Sequence, residues 1–161
     1  MQIRRAELGD AAAIRAIYNP QVESSTATFD LVPRSMAEQE AWLEARTGAH
    51  AALVAEIDGE IVGFGSLSPY RDRAGYATTV EDSVYIAPDR QGLGVGKALL
   101  AALVDTAVDH GFHTIMARVV GGHEASIALH LGAGFEVVGT EREVGRKLGR
   151  WLDVVLLQRL L

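Results

Sequence analysis

The chain has 161 residues, 48% of them hydrophobic and 22% charged, which is the ordinary composition of one globular domain with an apolar core. Its formal net charge of -6 at pH 7 disfavours a nucleic-acid partner, and the absence of cysteine excludes disulfides and thiolate chemistry. The sequence has no apolar run of the ~20 residues that a membrane span needs and no signal-peptide core at its start, so we expect a soluble, cytoplasmic protein.

Hydrophobic periodicity, capping residues and turn signals predict an alternation of helices and strands. In chain order the predicted elements are a strand over 2–6, a helix over 10–18, an irregular stretch over 24–32, a helix over 35–47, a hairpin over 51–57 and 60–68, a strand over 77–87, a helix over 94–109, a strand over 114–120, a helix over 124–131 and a closing pair of strands over 135–144 and 151–160. The order contains no repeat and no linker. It predicts a single α/β domain, with one mixed sheet of about seven strands and helices on both faces.

Two details of the first helix are predicted from local chemistry. Asp10 is a residue type that caps helix N-termini. Asn19-Pro20 predicts that the helix ends or kinks there, because the residue before a proline resists the helical conformation. The stretch that follows, over 24–32, contains Phe29 and is compatible with a loop that covers a pocket.

The most informative stretch of the sequence is a strand, a glycine loop and a helix start over 79–103. Glycines at every second position allow positive φ angles and remove side chains that would keep a ligand away; they are Gly92, Gly94 and Gly96. The free N–H groups at the start of the next helix lie at its positive dipole end. This arrangement predicts an anion site, most plausibly for a phosphate.

The spacing of the glycines excludes two common phosphate loops. A dinucleotide fingerprint that starts at Gly92 and Gly94 would need glycine where Lys97 stands. A Walker A loop would need glycine at the position of Gln91, with four residues between it and Gly96, and serine or threonine at the position of Ala98 after Lys97. The remaining pattern, Gln91-x-x-Gly94-x-Gly96, resembles the pyrophosphate loop of the GNAT superfamily of N-acetyltransferases.

The resemblance extends over nearly the whole chain and is closest to the phosphinothricin and methionine sulfone (methionine sulfoximine) acetyltransferases. It is carried by the element order and by four motifs, over 79–85, 124–130, 134–139 and 143–153. It implies a GNAT-like fold, a homodimer, acetyl-CoA as co-substrate and no metal. It also implies cofactor contacts by the following residues: Val84, Tyr85, Ile86, Gln91, Gly92, Leu93, Gly94, Val95, Gly96, Lys97, His123 and Ser126.

The chemistry of amine acetylation requires a base, because a protonated amine cannot attack a thioester. Glu81 and Asp82 are the candidates on the strand that leads to the glycine loop. Adjacent strand residues point to opposite faces, so only one of them is expected to line the acceptor cavity. The resemblance assigns this role to Glu81, and we expect Asp82 to be solvated.

The resemblance also makes His130 a candidate acid or base, since imidazole titrates near neutral pH. Two nearby positions depart from the family pattern. His123 stands where an asparagine usually bonds the pantetheine arm, so its imidazole would have to replace that amide. Leu131-Gly132 replaces a charged pair, which predicts that the helix ends early.

Acceptor recognition is predicted from two arginines and one aromatic residue. Arg71 and Arg73 precede the catalytic strand, and a guanidinium is a natural bidentate partner for carboxylate, phosphinate or sulfone oxygens. Phe29 is a candidate wall of the pocket. Three further residues have two open assignments, the dimer interface or the acceptor site; they are Lys147, Arg150 and Trp151.

Three functions follow from these features. The first is N-acetylation of the α-amino group of a small amino-acid analogue, which the two arginines favour. The second keeps acetyl-CoA but takes a protein N-terminus or a polyamine as acceptor, and the net charge of -6 suits a cationic acceptor. The third is a non-catalytic acetyl-CoA sensor, which the presence of both Glu81 and His130 disfavours.

Overall fold

The computed structural model describes residues 1–161 and consists of seven strands and four helices. The strands are β1 (Gln2–Arg5), β2 (Ala52–Ile57), β3 (Glu60–Pro69), β4 (Thr79–Ile86), β5 (Thr114–Val120), β6 (Glu136–Lys147) and β7 (Arg150–Leu160). The helices are α1 (Ala11–Ser24), α2 (Met36–Glu44), α3 (Val95–Asp109) and α4 (Glu124–Gly132). The predicted order of elements is confirmed.

All seven strands form one mixed sheet in the order β1-β2-β3-β4-β5-β7-β6. Only β4 and β5 are parallel, and the helix α3 makes the crossover between them. The other neighbours are antiparallel. The predicted α/β architecture with about seven strands is therefore correct.

The sheet separates two apolar clusters, because successive strand residues point to opposite faces. Leu53 packs in the cluster under α3, while its neighbour Val54 packs in the cluster under α1 and α2. The valine and leucine side chains of α3 are buried with one exception, Val108, which is exposed. Helices thus cover both faces, as the sequence predicted.

Helix α1 differs from its prediction at both ends. It continues through Pro20 to Ser24, so the predicted end near Tyr18 is wrong. Tertiary packing outweighs the proline, because Val22 extends the buried stripe of the helix into the same cluster as Tyr18. At the N-terminus, Asp10 occupies the capping position but makes no capping hydrogen bond. Its carboxylate instead accepts two bonds from Arg4, at 2.8 and 2.9 Å.

Helix α4 ends at Gly132, within one residue of its predicted end, while the last hairpin is longer than predicted. The β6–β7 hairpin extends to Lys147 and Arg150 around a two-residue turn. A register shift between Glu141 and Gly145 lets β6 continue past the predicted end at Val144. None of the four helices is long and apolar enough to cross a bilayer.

Candidate active site

The site forms where the parallel strands β4 and β5 separate. They pair only from Thr79 to Glu81 with Thr114 to Met116. Beyond this point Asp82–Tyr85 and Ala117–Val120 line a gap of about 120 Å³, which we call the junction cavity. On its other side β4 remains paired with β3 up to Ile86. One edge of β4 beyond Glu81 is therefore without a strand partner.

A larger groove of about 720 Å³ opens from the same edge of β4 and runs over the glycine loop. We call it the glycine-loop groove. The predicted cofactor residues line it with one exception; those present are Val84, Tyr85, Ile86, Gln91, Gly92, Gly94, Val95, Gly96, Lys97, His123 and Ser126. The exception is Leu93, whose side chain is exposed and does not line the groove. The structure thus brings the predicted set together in one concave surface.

The glycine loop has the backbone geometry of an anion site. Gly92 and Gly94 adopt φ of +75° and +80°, which side chains rarely tolerate. The first helical hydrogen bond of α3 runs from the N–H of Ala98 to Gly94, so the three preceding N–H groups have no helical acceptor. These groups and Lys97 offer positive charge to a phosphate.

Gly96 has a different role from the one predicted for it. It lies inside α3 and does not have a positive φ, so the prediction of a left-handed conformation there is wrong. A Cβ at this position would approach Leu129 of α4 to 3.3 Å. The absence of a side chain at Gly96 favours the close packing of α3 against α4 at the floor of the groove, because a Cβ would require the Leu129 side chain to shift by a few tenths of an ångström.

A third cavity of about 330 Å³, which we call the aromatic cavity, lies on the other side of the junction. Its aromatic walls are Tyr18, Phe29, Trp42, Phe64 and Tyr85. Because it shares Ser83, Tyr85 and Arg118 with the junction cavity, the two are neighbours. Phe29 therefore lies where the sequence predicted, in the wall of a pocket covered by the loop over 25–30.

Glu81 lines the aromatic cavity with a half-buried side chain. Burial raises the pKa of its carboxyl, while the charge of Arg118 opposes this and that of Asp82 adds to it. A carboxyl with a raised pKa is a better proton acceptor when deprotonated than an ordinary one. The residue has the position and the electrostatics of a general base.

Asp82 points away from Glu81 and is fully buried, so the expectation that it is solvated is wrong. Its Oδ2 accepts a hydrogen bond from Nε2 of His130 at 2.9 Å, and Nδ1 of His130 donates to the Ser126 carbonyl at 2.7 Å. Alternation along the strand places the Glu81 and Asp82 carboxylates on opposite faces of the sheet. It does not predict which of the two faces is covered by a helix. Here α4 covers the Asp82 side.

The two acceptors around His130 determine its protonation. Burial by itself lowers the pKa of the imidazole, but the hydrogen bond and charge of Asp82 and the Ser126 carbonyl outweigh this, so the pKa is raised. Both ring nitrogens face oxygen acceptors, which is the arrangement that suits a doubly protonated ring. Both His130 and Asp82 line the junction cavity. A histidine with a raised pKa is thus held beside the gap in the sheet.

His123 is already engaged within the chain. Its Nε2 is hydrogen bonded to Oγ1 of Thr26 at 2.8 Å, and His123 lines both the junction cavity and the glycine-loop groove. The imidazole therefore fastens the loop over 25–30 to the start of α4. The role of His123 in cofactor binding stays a prediction.

Lys147 is buried next to the loop that covers the aromatic cavity, and its assignment to the dimer interface or to the acceptor site stays a prediction. Its Nζ donates to the carbonyls of Thr28, at 2.8 Å, and Gln21, at 3.1 Å. The side chain thus fixes the loop that carries Phe29, and burial lowers its pKa. The Phe29 ring lies directly on the backbone of Gly145, where a Cβ would overlap it. Arg150 and Trp151 are exposed at the start of β7.

The two predicted acceptor arginines lie outside the cavities described above. Arg71 is exposed and stacks on Tyr70 and Tyr76, with its Cζ 5.0 and 5.6 Å from the ring centroids. Arg73 is exposed in the same segment. The charge of Arg71 is nonetheless close enough to oppose the rise in the pKa of Glu81 that burial causes. Acceptor binding by these two residues stays a prediction.

Three arginines that the sequence patterns did not indicate as site residues line the aromatic cavity: Arg34, Arg46 and Arg118. Arg34 and Arg46 lie just outside the two ends of α2, and Arg118 lies on β5. The Trp42 ring of α2 is half-exposed and forms the wall between Arg34 and Arg46. The signal that could have found them is the pair of arginines that brackets one short helix. No group of three or more histidine and acidic side chains is placed to hold a metal ion.

Comparison with known proteins agrees with the geometry of the site. Residues 12–135 match the acetyltransferase (GNAT) family. The L-methionine sulfoximine/L-methionine sulfone acetyltransferase of Pseudomonas aeruginosa is 39% identical over 158 residues, which cover 97% of this chain and 92% of that protein. This relative is matched over almost its full length.

Two solved structures are similar over the whole chain. A phosphinothricin acetyltransferase from Sinorhizobium meliloti, in complex with acetyl-CoA, is 38% identical with a TM-score of 0.95, covering 99% of this chain and 88% of that one. A ribosomal-protein-alanine N-acetyltransferase from Brucella melitensis is 40% identical with a TM-score of 0.98, covering 100% of both chains.

These matches show that the chain belongs to the acetyltransferase (GNAT) family. It is an acyltransferase that uses acetyl-CoA as co-substrate, as the resemblance implied. The free N–H groups of α3, Lys97 and the open edge of β4 fit the diphosphate and the amide-containing arm of that molecule.

Proposed function

We propose that this enzyme transfers the acetyl group of acetyl-CoA directly to the α-amino group of a small amino-acid analogue such as phosphinothricin, methionine sulfone or methionine sulfoximine. One observation carries the proposal: the aromatic cavity combines the carboxyl of Glu81 with the guanidinium groups of Arg34 and Arg46. A zwitterionic acceptor needs both, a base for its ammonium group and cations for its acidic oxygens. The names of the Pseudomonas and Sinorhizobium relatives support the same acceptor class.

Glu81 removes a proton from the acceptor ammonium group, directly or through water. The neutral amine then attacks the acetyl carbonyl, the C–N bond forms, the C–S bond breaks, and the nitrogen releases its second proton to water to give the amide. Backbone N–H groups near Val84, on the unpaired edge of β4, stabilise the negative charge that develops on the carbonyl oxygen. No covalent intermediate with the enzyme is required.

His130 supplies a proton to the departing thiolate. Its ring lines the junction cavity together with Val84, between the groove and the cavity that contains Glu81. Asp82 and the Ser126 carbonyl favour the protonated ring, and its Nε2 proton passes to the sulfur when the hydrogen bond to Asp82 is given up. Asp82 is a positioning residue, because it acts through His130. The thiol of coenzyme A is the leaving product.

Arg71, Arg73 and Phe29 complete the acceptor site in this proposal. The two arginines bind the α-carboxylate from the exposed segment before β4, and Phe29 covers the apolar part of the acceptor. Gln91 to Lys97, including the backbone of Leu93, hold the pyrophosphate, while His123 and Ser126 flank the pantetheine arm. Each assignment is consistent with the side of the sheet on which the residue lies.

A thiol-release assay tests the proposal. Acetyl-CoA is offered with phosphinothricin, methionine sulfone, methionine sulfoximine, a polyamine and a peptide with N-terminal alanine. We expect turnover with the three amino-acid analogues. Turnover only with the peptide or the polyamine would show that the acceptor is a protein N-terminus or a polyamine. Tight acetyl-CoA binding without turnover on any acceptor would favour a sensor.

The peptide is a real competitor because one structural relative is named for the alanine of a ribosomal protein. The volume of the aromatic cavity, about 330 Å³, is at the lower end of small-molecule pockets and favours a single amino acid over a chain terminus. The excess of acidic residues is the feature that favours a cationic acceptor.

We also propose a homodimer that forms in the cytoplasm, where acetyl-CoA is available. The β6–β7 hairpin exposes a set of large apolar side chains, which is costly on a monomer: Val137, Val138, Val144, Leu148 and Trp151. Light scattering should give twice the mass of the chain, 17.2 kDa. The mass of one chain across micromolar concentrations would contradict the dimer.

A further inference from the structure

Two guanidinium groups flank one indole ring in the aromatic cavity. Arg34 precedes α2 and Arg46 follows it, and both fold back over Trp42, with Cζ atoms 5.0 and 4.6 Å from the ring centroid. Arg34 also lies 4.1 Å above the Tyr18 ring. All four side chains line the cavity. Two cations are therefore concentrated on one wall.

The positive charges of Arg34 and Arg46 are only partly balanced by carboxylates of the chain. Arg118 is matched by Glu141 at 2.8 Å, and Arg34 faces Asp30 only at the longer distance of 3.8 Å. Arg46 forms no ion pair with any carboxylate of the chain, and its Nε is buried without a hydrogen-bond partner. Burial, followed by the charge of Arg34, lowers the pKa of Arg46.

Stacking on Trp42 explains part of this arrangement but not all of it. A cation over an indole gains attraction from the ring, and a single arginine would obtain it. A second arginine beside the first adds repulsion between like charges and leaves a buried N–H without an acceptor, which costs stability. An anion that contacts the terminal N–H groups of both guanidinium groups from the cavity would offset the repulsion between their charges.

We propose that Arg34, Trp42 and Arg46 form a subsite for a second anionic group, a phosphinate or carboxylate on the side chain of the acceptor. The inference rests on the proposed function, since it assumes that the acceptor occupies the aromatic cavity. It specifies the substrate class further: an amino acid with an anionic side chain is preferred to a neutral one of the same shape. The α-carboxylate is left to Arg71 and Arg73.

Phosphinothricin and methionine sulfone provide the matched pair for the test. Both end in a methyl group on a tetrahedral centre with two oxygens, and they differ by one negative charge. We expect a higher kcat/KM for phosphinothricin in the natural enzyme. In Arg46→Gln and Arg34→Gln that preference should fall by about tenfold or more, the loss expected for a charge-assisted hydrogen bond.

The controls separate the possible failures. Methionine sulfone turnover reports folding, because a misfolded variant loses both activities. Arg142→Gln removes an exposed arginine that does not line the cavity and should leave the preference unchanged. The same preference in Arg46→Gln as in the natural enzyme, or no preference in the natural enzyme, would overturn the subsite alone. No acetylation of either acceptor would overturn the proposed function and the subsite with it.

Discussion

Nε2 of His130 donates a hydrogen bond of 2.9 Å to Oδ2 of Asp82, and both side chains are almost fully buried. The bond links α4 to β4 across the gap where β4 and β5 separate. It therefore fixes the His130 ring beside the junction cavity, between the glycine-loop groove and the aromatic cavity. Stability and catalysis are both expected to depend on this pair.

Asp82→Asn should reduce stability more at pH 6 than at pH 9. The folded-state pKa of His130 is raised, so its stabilising contribution is fully present below the unfolded pKa of about 6.5 and is lost as the pH rises through the folded value. Urea unfolding at both pH values measures this. Asp109→Asn, which changes an exposed carboxylate, is the matched control. An equal loss at pH 6 and pH 9 would contradict a charged pair.

Gly145→Ala should raise KM for the acceptor and leave acetyl-CoA binding nearly unchanged. A Cβ at this position overlaps the Phe29 ring, which is about one-third exposed and can swing outward. The backbone of Gly145 does not need a left-handed conformation, so the change acts through Phe29 alone. Steady-state kinetics with each substrate varied in turn measure the effect. If KM for acetyl-CoA rises equally, Phe29 does not wall the acceptor pocket.

Lys147→Met should loosen the loop over 25–30. The variant keeps the length of the side chain but loses both bonds to backbone carbonyls, a cost of about 1 to 3 kcal/mol. Amide hydrogen exchange should become faster around Thr28 and remain unchanged in α3, on the opposite face. Arg150→Met, at an exposed site, is the control. Unchanged exchange around Thr28 would show that Lys147 does not fix the loop.

Arg73→Ala should raise KM for an anionic amino acid far more than KM for acetyl-CoA. An exposed guanidinium before β4 is free to bind a carboxylate, and the loss of one charge-assisted bond predicts a change of about tenfold or more. Initial-rate measurements with both substrates check this. Equal effects on the two KM values would instead indicate a folding defect, and Arg73 would have no role in acceptor binding.

Much of this structure follows from local sequence patterns, and the failures have a physical explanation. The glycine loop was predictable because only glycine tolerates the φ values at Gly92 and Gly94. The burial of Asp82 was not, because strand alternation separates it from Glu81 without telling which face α4 covers. The extension of α1 past Pro20 and the buried position of Lys147 depend on contacts between distant parts of the chain.

The acceptor arginines show the same limit. Arg71 and Arg73 are predicted to bind the acceptor because they are close in sequence to the strand that carries Glu81. Arg34 and Arg46 reach the aromatic cavity because α2 packs over the sheet. The two arginines lie just outside the ends of the helix, and both fold back over its Trp42 ring. Spacing within a helix cannot predict where residues outside its ends converge.

The most direct test of the account is Glu81→Gln, measured with the best acceptor of the panel. The amide keeps the size of the side chain but cannot accept the proton from the amine. We predict that kcat/KM falls by about a hundredfold or more, within the range for loss of a general base, while the Kd for acetyl-CoA is nearly unchanged. A rate equal to that of the natural enzyme would contradict the assignment of Glu81 as the base.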